Sequence, residues 1–255
     1  MTVKTPPIAP ARSFRKARRF LHAVRRTVRT RGTVAAIRLA GALIAEILLR
    51  PVTRRQDRLM DQRLGTGTGR SSAEPVLDPA VVASAQHRDS VAYSPTPVHQ
   101  FRKILRSLPI PTPSAFTFVD LGCGKGRTLL LAAEYGFGRV VGVEFDPTLA
   151  ETARQNAAGC GLVARSTAGV VEVVCGDAAR YEFPLEPTVV FLFNPFGEDT
   201  LRAVVDQIEQ TLALWPRLFV VAYFNPMHEE VLEGSTTLRA TMRNSRWCIY
   251  TSMTA

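Results

Sequence analysis

The chain has 255 residues, 46% of them apolar, with 32 Lys and Arg against 22 Asp and Glu for a formal net charge of +10. That is enough for one domain of ordinary α/β size plus an appendage, with ample apolar residues for a core. Four cysteines, Cys123, Cys160, Cys175 and Cys248, form no C-x-x-C pair, so neither a zinc site nor a disulfide framework is indicated and a reduced, cytoplasmic setting fits.

The charge is unevenly spread. Residues 1–63 hold 16 of the Lys and Arg and only Glu46, Asp57 and Asp61, a net +13 that leaves the remainder at −3. The basic character therefore belongs to an N-terminal arm. Within it, Phe14, Ala17, Leu21, Val24 and Val28 recur at helical spacing with Arg and Lys between them, which predicts a basic amphipathic helix. Three readings of that helix stay open: packing on the following domain, peripheral contact with an anionic membrane, and contact with nucleic acid. Arg18-Arg19 before Phe20-Leu21 is similar to a twin-arginine export signal, but Arg25 and Arg26 interrupt the apolar region such a signal needs. The stretch 33–49 is apolar yet broken by Arg38 and Glu46, and it falls short of the about 20 apolar residues of a spanning helix. A partly buried helix ended by Pro51 is expected instead. Glycines, serines and prolines then mark a linker, so the expected organisation is arm 1–63, linker 64–90 and domain 91–255.

From there strand and helix signals alternate. Strands are expected over 116–121, 139–145, 170–175, 188–193 and 218–224, with helices over 128–135, 147–157, 199–214 and 227–233 between them. Asp146-Pro147 reads as an N-cap followed by proline at the first helical position. Two last strands, 236–243 and 246–253, are separated only by Asn244-Ser245 and should pair antiparallel. The alternation predicts an α/β, Rossmann-like, doubly wound and mostly parallel sheet ending in a hairpin.

Ligands of such sheets bind beyond the carboxyl ends of the strands. There the sequence places Asp120 before Gly122, Gly124 and Gly126, then Glu144, then Gly176-Asp177. The glycines let the chain turn sharply and remove Cβ atoms that would hold a ligand away. Glu144, 22 residues beyond Gly122, can accept from two ribose hydroxyls. Singly, each acid could instead be a helix cap or a turn residue. The Gly-x-Gly-x-Gly spacing is not that of dinucleotide-binding folds. Together the residues resemble class I S-adenosylmethionine-dependent methyltransferases. The resemblance implies S-adenosyl-L-methionine as methyl donor, a seven-stranded sheet, Asp120 facing the cofactor's methionine end, and Asp177 accepting from the adenine amine.

On the acceptor side, Asn194-Pro195-Phe196-Gly197 follows the fourth strand. It is similar to the Asp/Asn/Ser-Pro-Pro-Tyr/Phe turn of methyltransferases that act on nitrogen, with one proline missing; a plain strand-to-helix turn is the alternative. That resemblance implies that Asn194 and the Pro195 carbonyl accept from an amine while Phe196 covers it. Tyr93-Ser94-Pro95-Thr96-Pro97, about 25 residues ahead of the glycines, is stiff enough to fold back over the cofactor. It resembles an element of some protein-lysine methyltransferases, which implies Tyr93 at the reacting end and Thr96 at the cofactor. The expectation is transfer to a nitrogen acceptor, a protein lysine first. A membrane-recruited small-molecule or lipid methyltransferase and a silent cofactor-binding module are the alternatives. No metal is expected, since His22, His87, His99 and His228 show no ligand spacing; His99 and His228 could reach the cleft as bases or simply sit in solvent.

Overall fold

Strand runs with no polar alternation should be covered on both faces, and three of them are. Thr117–Leu121 (β1), Thr188–Leu192 (β4) and Phe219–Phe224 (β5) are buried at every position. The structure, a computed structural model, describes residues 51–69, 93–160 and 171–252 and scattered helical positions between 32 and 48. The chain divides into two units, Met1–Pro51 and Val52–Ala255. In the first, the described residues are helical, and Ile37, Ile44 and Leu48 are largely exposed. The expected amphipathic helix over 14–28 lies outside the described residues. Among those described, no helix is long and apolar enough to cross a membrane.

The second unit begins with helical residues through 64, which we call α1. Pro51, expected to end a helix, is itself helical. The sheet adds Arg139–Glu144 (β2), Val171–Cys175 (β3), Leu238–Arg243 (β6) and Trp247–Ser252 (β7). Its seven strands run in the order β3-β2-β1-β4-β5-β7-β6. The first five are parallel and β7 lies antiparallel between β5 and β6. Covering helices are Val98–Ser107 (α2), Arg127–Tyr135 (α3), Pro147–Gly159 (α4), Glu198–Leu214 (α5) and Glu229–Glu233 (α6).

Two apolar layers sandwich the sheet. On one face Phe118 and Phe191 meet Phe101 of α2, with ring centroids 5.8 and 5.0 Å apart. On the other, Val119, Val190 and Val221 meet Leu201, Val204 and Ile208 of α5. Burying a ring such as Phe101, which is 0% exposed, stabilises the fold by about 1.5–3 kcal/mol. α2 was not among the expected elements. Its buried Val98, Phe101, Ile104 and Leu105 sit at helical spacing, but it has no N-cap side chain of its own. Asp57 of α1 supplies the cap, accepting from the Val98 N–H at 3.0 Å.

The chain winds outward through β1, β2 and β3 and then returns to the other side of β1 as β4. This reversal is where doubly wound sheets open a crevice. Leu121 pairs with Leu192 across it, so the glycine turn and the Asn194 turn leave the sheet side by side.

Candidate active site

The glycine turn is pinned to β2: the N–H groups of Gly122 and Cys123 both donate to the Val143 carbonyl, at 2.8 and 3.1 Å. Gly122 and Gly124 have φ of +85° and +55°, in the region that disfavours side chains. Their missing Cβ atoms face the protein. A Cβ on Gly122 would meet Pro195 Cβ at 2.5 Å, and one on Gly124 would meet the Tyr93 ring at 2.2 Å. Pro195 and Tyr93 thus stand against consecutive glycines of the turn. Gly126 heads α3 in the left-handed conformation, and Cys123 is a buried packing residue.

Beneath the turn lie two buried carboxylates. Asp120 is 3% exposed and accepts from the Thr128 hydroxyl of α3. Burial pushes its pKa up to about 7; the Thr128 bond opposes this and the Glu144 charge adds to it. Glu144 accepts from the Gly124 N–H at 2.7 Å and from the Asp146 N–H at 3.0 Å. It too is pushed up by burial, against these bonds. Asp146 caps α4, accepting from Thr148 and Leu149, as expected from Asp-Pro.

At the ends of β2 and β3 an open pocket of about 520 Å³ is lined by Val143, Val174, Gly176, Asp177, Arg180 and Tyr181, among others. Val143, Val174 and Tyr181 could enclose a flat base. Asp177 borders the pocket and also caps the short turn Ala178–Arg180 by accepting from the Ala179 N–H at 2.9 Å.

After β4, Asn194 adopts φ of +43°, which Asn tolerates better than most residues. The Tyr223 hydroxyl accepts from the Met227 N–H at 3.4 Å and donates to Asn194 Oδ1 at 3.3 Å. Accepting from Met227 leaves the one hydroxyl proton for Asn194 Oδ1. Burial pushes Tyr223 up to about 12, so it stays a donor. Oδ1 retains a second lone pair. Phe196 is 8% exposed and packs with the α5 face of the sheet.

Thr96, expected at the cofactor, has its carbonyl turned to Arg127 at 3.2 Å. At the rim His228 Nδ1 stands 3.7 Å from Glu230. Those two residues and Glu198 offer ligand atoms within 4.8 Å of one another, a grouping invisible in sequence spacing. Sequence reasoning also missed Tyr223 and Arg127. For Tyr223 the only signal was a hydroxyl near the end of an otherwise apolar strand. For Arg127 it was a cation at a helix N-terminus, where the helix dipole disfavours it.

A seven-stranded sheet of this order, with a glycine turn after β1 and acids at the carboxyl ends of β1 and β2, is the class I methyltransferase fold. Residues 118–213 match the family model described as a methyltransferase domain. A ribosomal protein L11 methyltransferase of Dechloromonas aromatica (strain RCB) is 32% identical over 109 residues, 40% of this chain and 37% of that protein. One from Burkholderia thailandensis is 46% identical over 137 residues, 51% of this chain and 44% of that protein. The matches thus span about two-fifths of the length of these curated relatives. Among solved structures, an RNA methyltransferase from Salinibacter ruber in complex with S-adenosyl-L-homocysteine is similar at 21% identity and a TM-score of 0.41, over 62% of this chain and 92% of that one. The fold is thus that of class I methyltransferases, and residues 118–213 carry the likeness to a methyltransferase domain.

Proposed function

We propose that the chain binds S-adenosylmethionine along Asp120, the glycine turn, Glu144 and Asp177 and transfers its methyl group to a nitrogen acceptor, a protein lysine amine first. The observation that carries this reading is the contact of Pro195 with Gly122. It sets the Asn194 amide beside the loop that would hold the sulfonium. Bound there, the cofactor supplies an already activated methyl group. The residues of this chain then position the amine and keep water out. Asn194 Oδ1 accepts from the amine and directs its lone pair, and the apolar walls favour its neutral form by disfavouring charge. The curated relatives are named for ribosomal protein L11, which makes that protein the first acceptor to try.

The test is transfer of labelled methyl from the cofactor to purified L11 and to a lysate, digested to find the modified residue. Label on lysine or another amine supports the proposal. Label on lipid or a small molecule favours the membrane-recruited alternative. Cofactor binding without any product favours a silent module.

A further inference from the structure

Arg127 follows the glycine turn directly, yet only 2% of it is exposed. No acid stands in the first turn of its helix, so its charge is balanced from elsewhere. Asp57 lies 3.1 Å and Asp61 3.5 Å away, both on α1. Its Nε donates to the Thr68 hydroxyl at 2.8 Å and its Nη1 to the Thr96 carbonyl at 3.2 Å. One guanidinium thereby joins α1, the 65–69 segment and the Tyr93–Pro97 segment to the cofactor loop.

The 65–69 segment fits that loop closely. The Thr66 N–H donates to the Asp61 carbonyl at 2.9 Å. The Thr68 N–H donates to Asp61 Oδ1 at 3.2 Å. The Gly67 N–H donates to Asn156 Oδ1 at 3.2 Å, and the same Asn156 donates to the Lys125 carbonyl at 2.9 Å. A Cβ on Gly69 would lie 2.8 Å from an Asp61 oxygen and 3.2 Å from Arg127 Nη2. The Tyr93 hydroxyl donates to the Thr68 carbonyl at 2.8 Å, while its ring stands against Gly124 and under the Lys125 ammonium at 5.6 Å. Apart from Asn156 of α4, these partners lie upstream of the matched residues 118–213 or on the glycine turn and the start of α3.

We propose that Arg127 is a positioning residue for cofactor binding, holding residues 57–69 and Tyr93 as a brace that sets the binding conformation of Gly124–Arg127. The inference rests on the cofactor reading above. Loss of the brace lowers the population of the competent loop, and the apparent dissociation constant rises in proportion.

The test uses the full chain and S-adenosylhomocysteine as probe. Arg127→Met alone would strand two carboxylates and could unfold, so it is combined with Asp57→Asn and Asp61→Asn, which remove the charges and keep acceptors for Val98 and Thr68. We expect this triple variant to melt cooperatively, to bind the probe about tenfold or more weakly, and to exchange the Thr66, Gly67 and Thr68 amides faster. Arg127→Lys, which keeps charge but loses the fork, should restore affinity only in part. Wild-type affinity in the triple variant overturns the inference. If that variant does not fold, hydrogen exchange on the wild type decides: the probe should slow those three amides, and unchanged rates overturn the inference while the cofactor reading stands. A wild type that binds no probe removes both.

Discussion

If Asp120 faces the cofactor as proposed, binding is a proton-linked event. Its pKa in the folded, unliganded chain is about 7, so at pH 6 about nine-tenths of the molecules carry a proton there. A cation within a few ångströms lowers a carboxyl pKa by about 1–3 units, and the cofactor's ammonium is the cation that Asp120 is expected to face. A drop of about two units would leave about a tenth protonated at pH 6, releasing about 0.8 of a proton per cofactor bound. Calorimetric titration with S-adenosylhomocysteine at pH 6, in buffers of different ionisation enthalpy, reads that number directly. In Asp120→Asn the number should fall to whatever Glu144, also pushed up, contributes. A heat independent of buffer in the wild type, or an equal proton number in the variant, would refute the assignment of Asp120. The same shift has a second sign to check. A raised carboxyl pKa means the native state holds the proton longer than the unfolded chain. The associated stability is then full below about pH 4 and lost as pH rises through about 7, at no more than about 1.4 kcal/mol per unit. Melting of the unliganded wild type across that window should fall relative to Asp120→Asn.

Gly124→Ala should destabilise the chain by about 1–3 kcal/mol, since the new methyl both meets the Tyr93 ring and adopts a positive φ. In thermal melts, adding Tyr93→Ala should recover the steric part and leave the backbone part. Asn194→Ala should keep probe binding within about twofold while methyl transfer to the acceptor falls by about tenfold or more, equivalent to about 1.4 kcal/mol; parallel calorimetry and labelled transfer separate the two. Asp146→Ala removes the acceptor for two N–H groups at the start of α4 and should cost about 1 kcal/mol in denaturant unfolding.

Much of the domain could be read from its residues because local signals and tertiary demands agree there. Continuous apolar runs gave β1, β4 and β5, and Asp146-Pro147 gave the start of α4 to the residue. The hairpin followed from two strand-like runs with two residues between them, and β6 and β7 do pair antiparallel. What sequence concealed was any element completed from a distance. α2 lacks a local cap because Asp57 provides one from α1. The expected boundary at residue 63 falls inside the second unit. The glycines and polar residues of 65–69 resemble a linker until their partners Asp61, Asn156 and Arg127 are seen. Asp120, Glu144 and Asn194 could be singled out from their places at strand ends, but their hydrogen-bond partners could not be read.

The contacts of Gly122 and Gly124 also limit how the site can diversify. Their empty side-chain positions are filled by Pro195 and Tyr93, so the proposed donor loop and the proposed acceptor walls are shaped as one surface. A new substrate preference could not be installed by transplanting the 194–197 turn alone. The incoming residue at 195 must fit against the turn at 122, and whatever replaces Tyr93 must still seat against 124. In this chain, a change of acceptor would have to be written on both sides of the crevice at once.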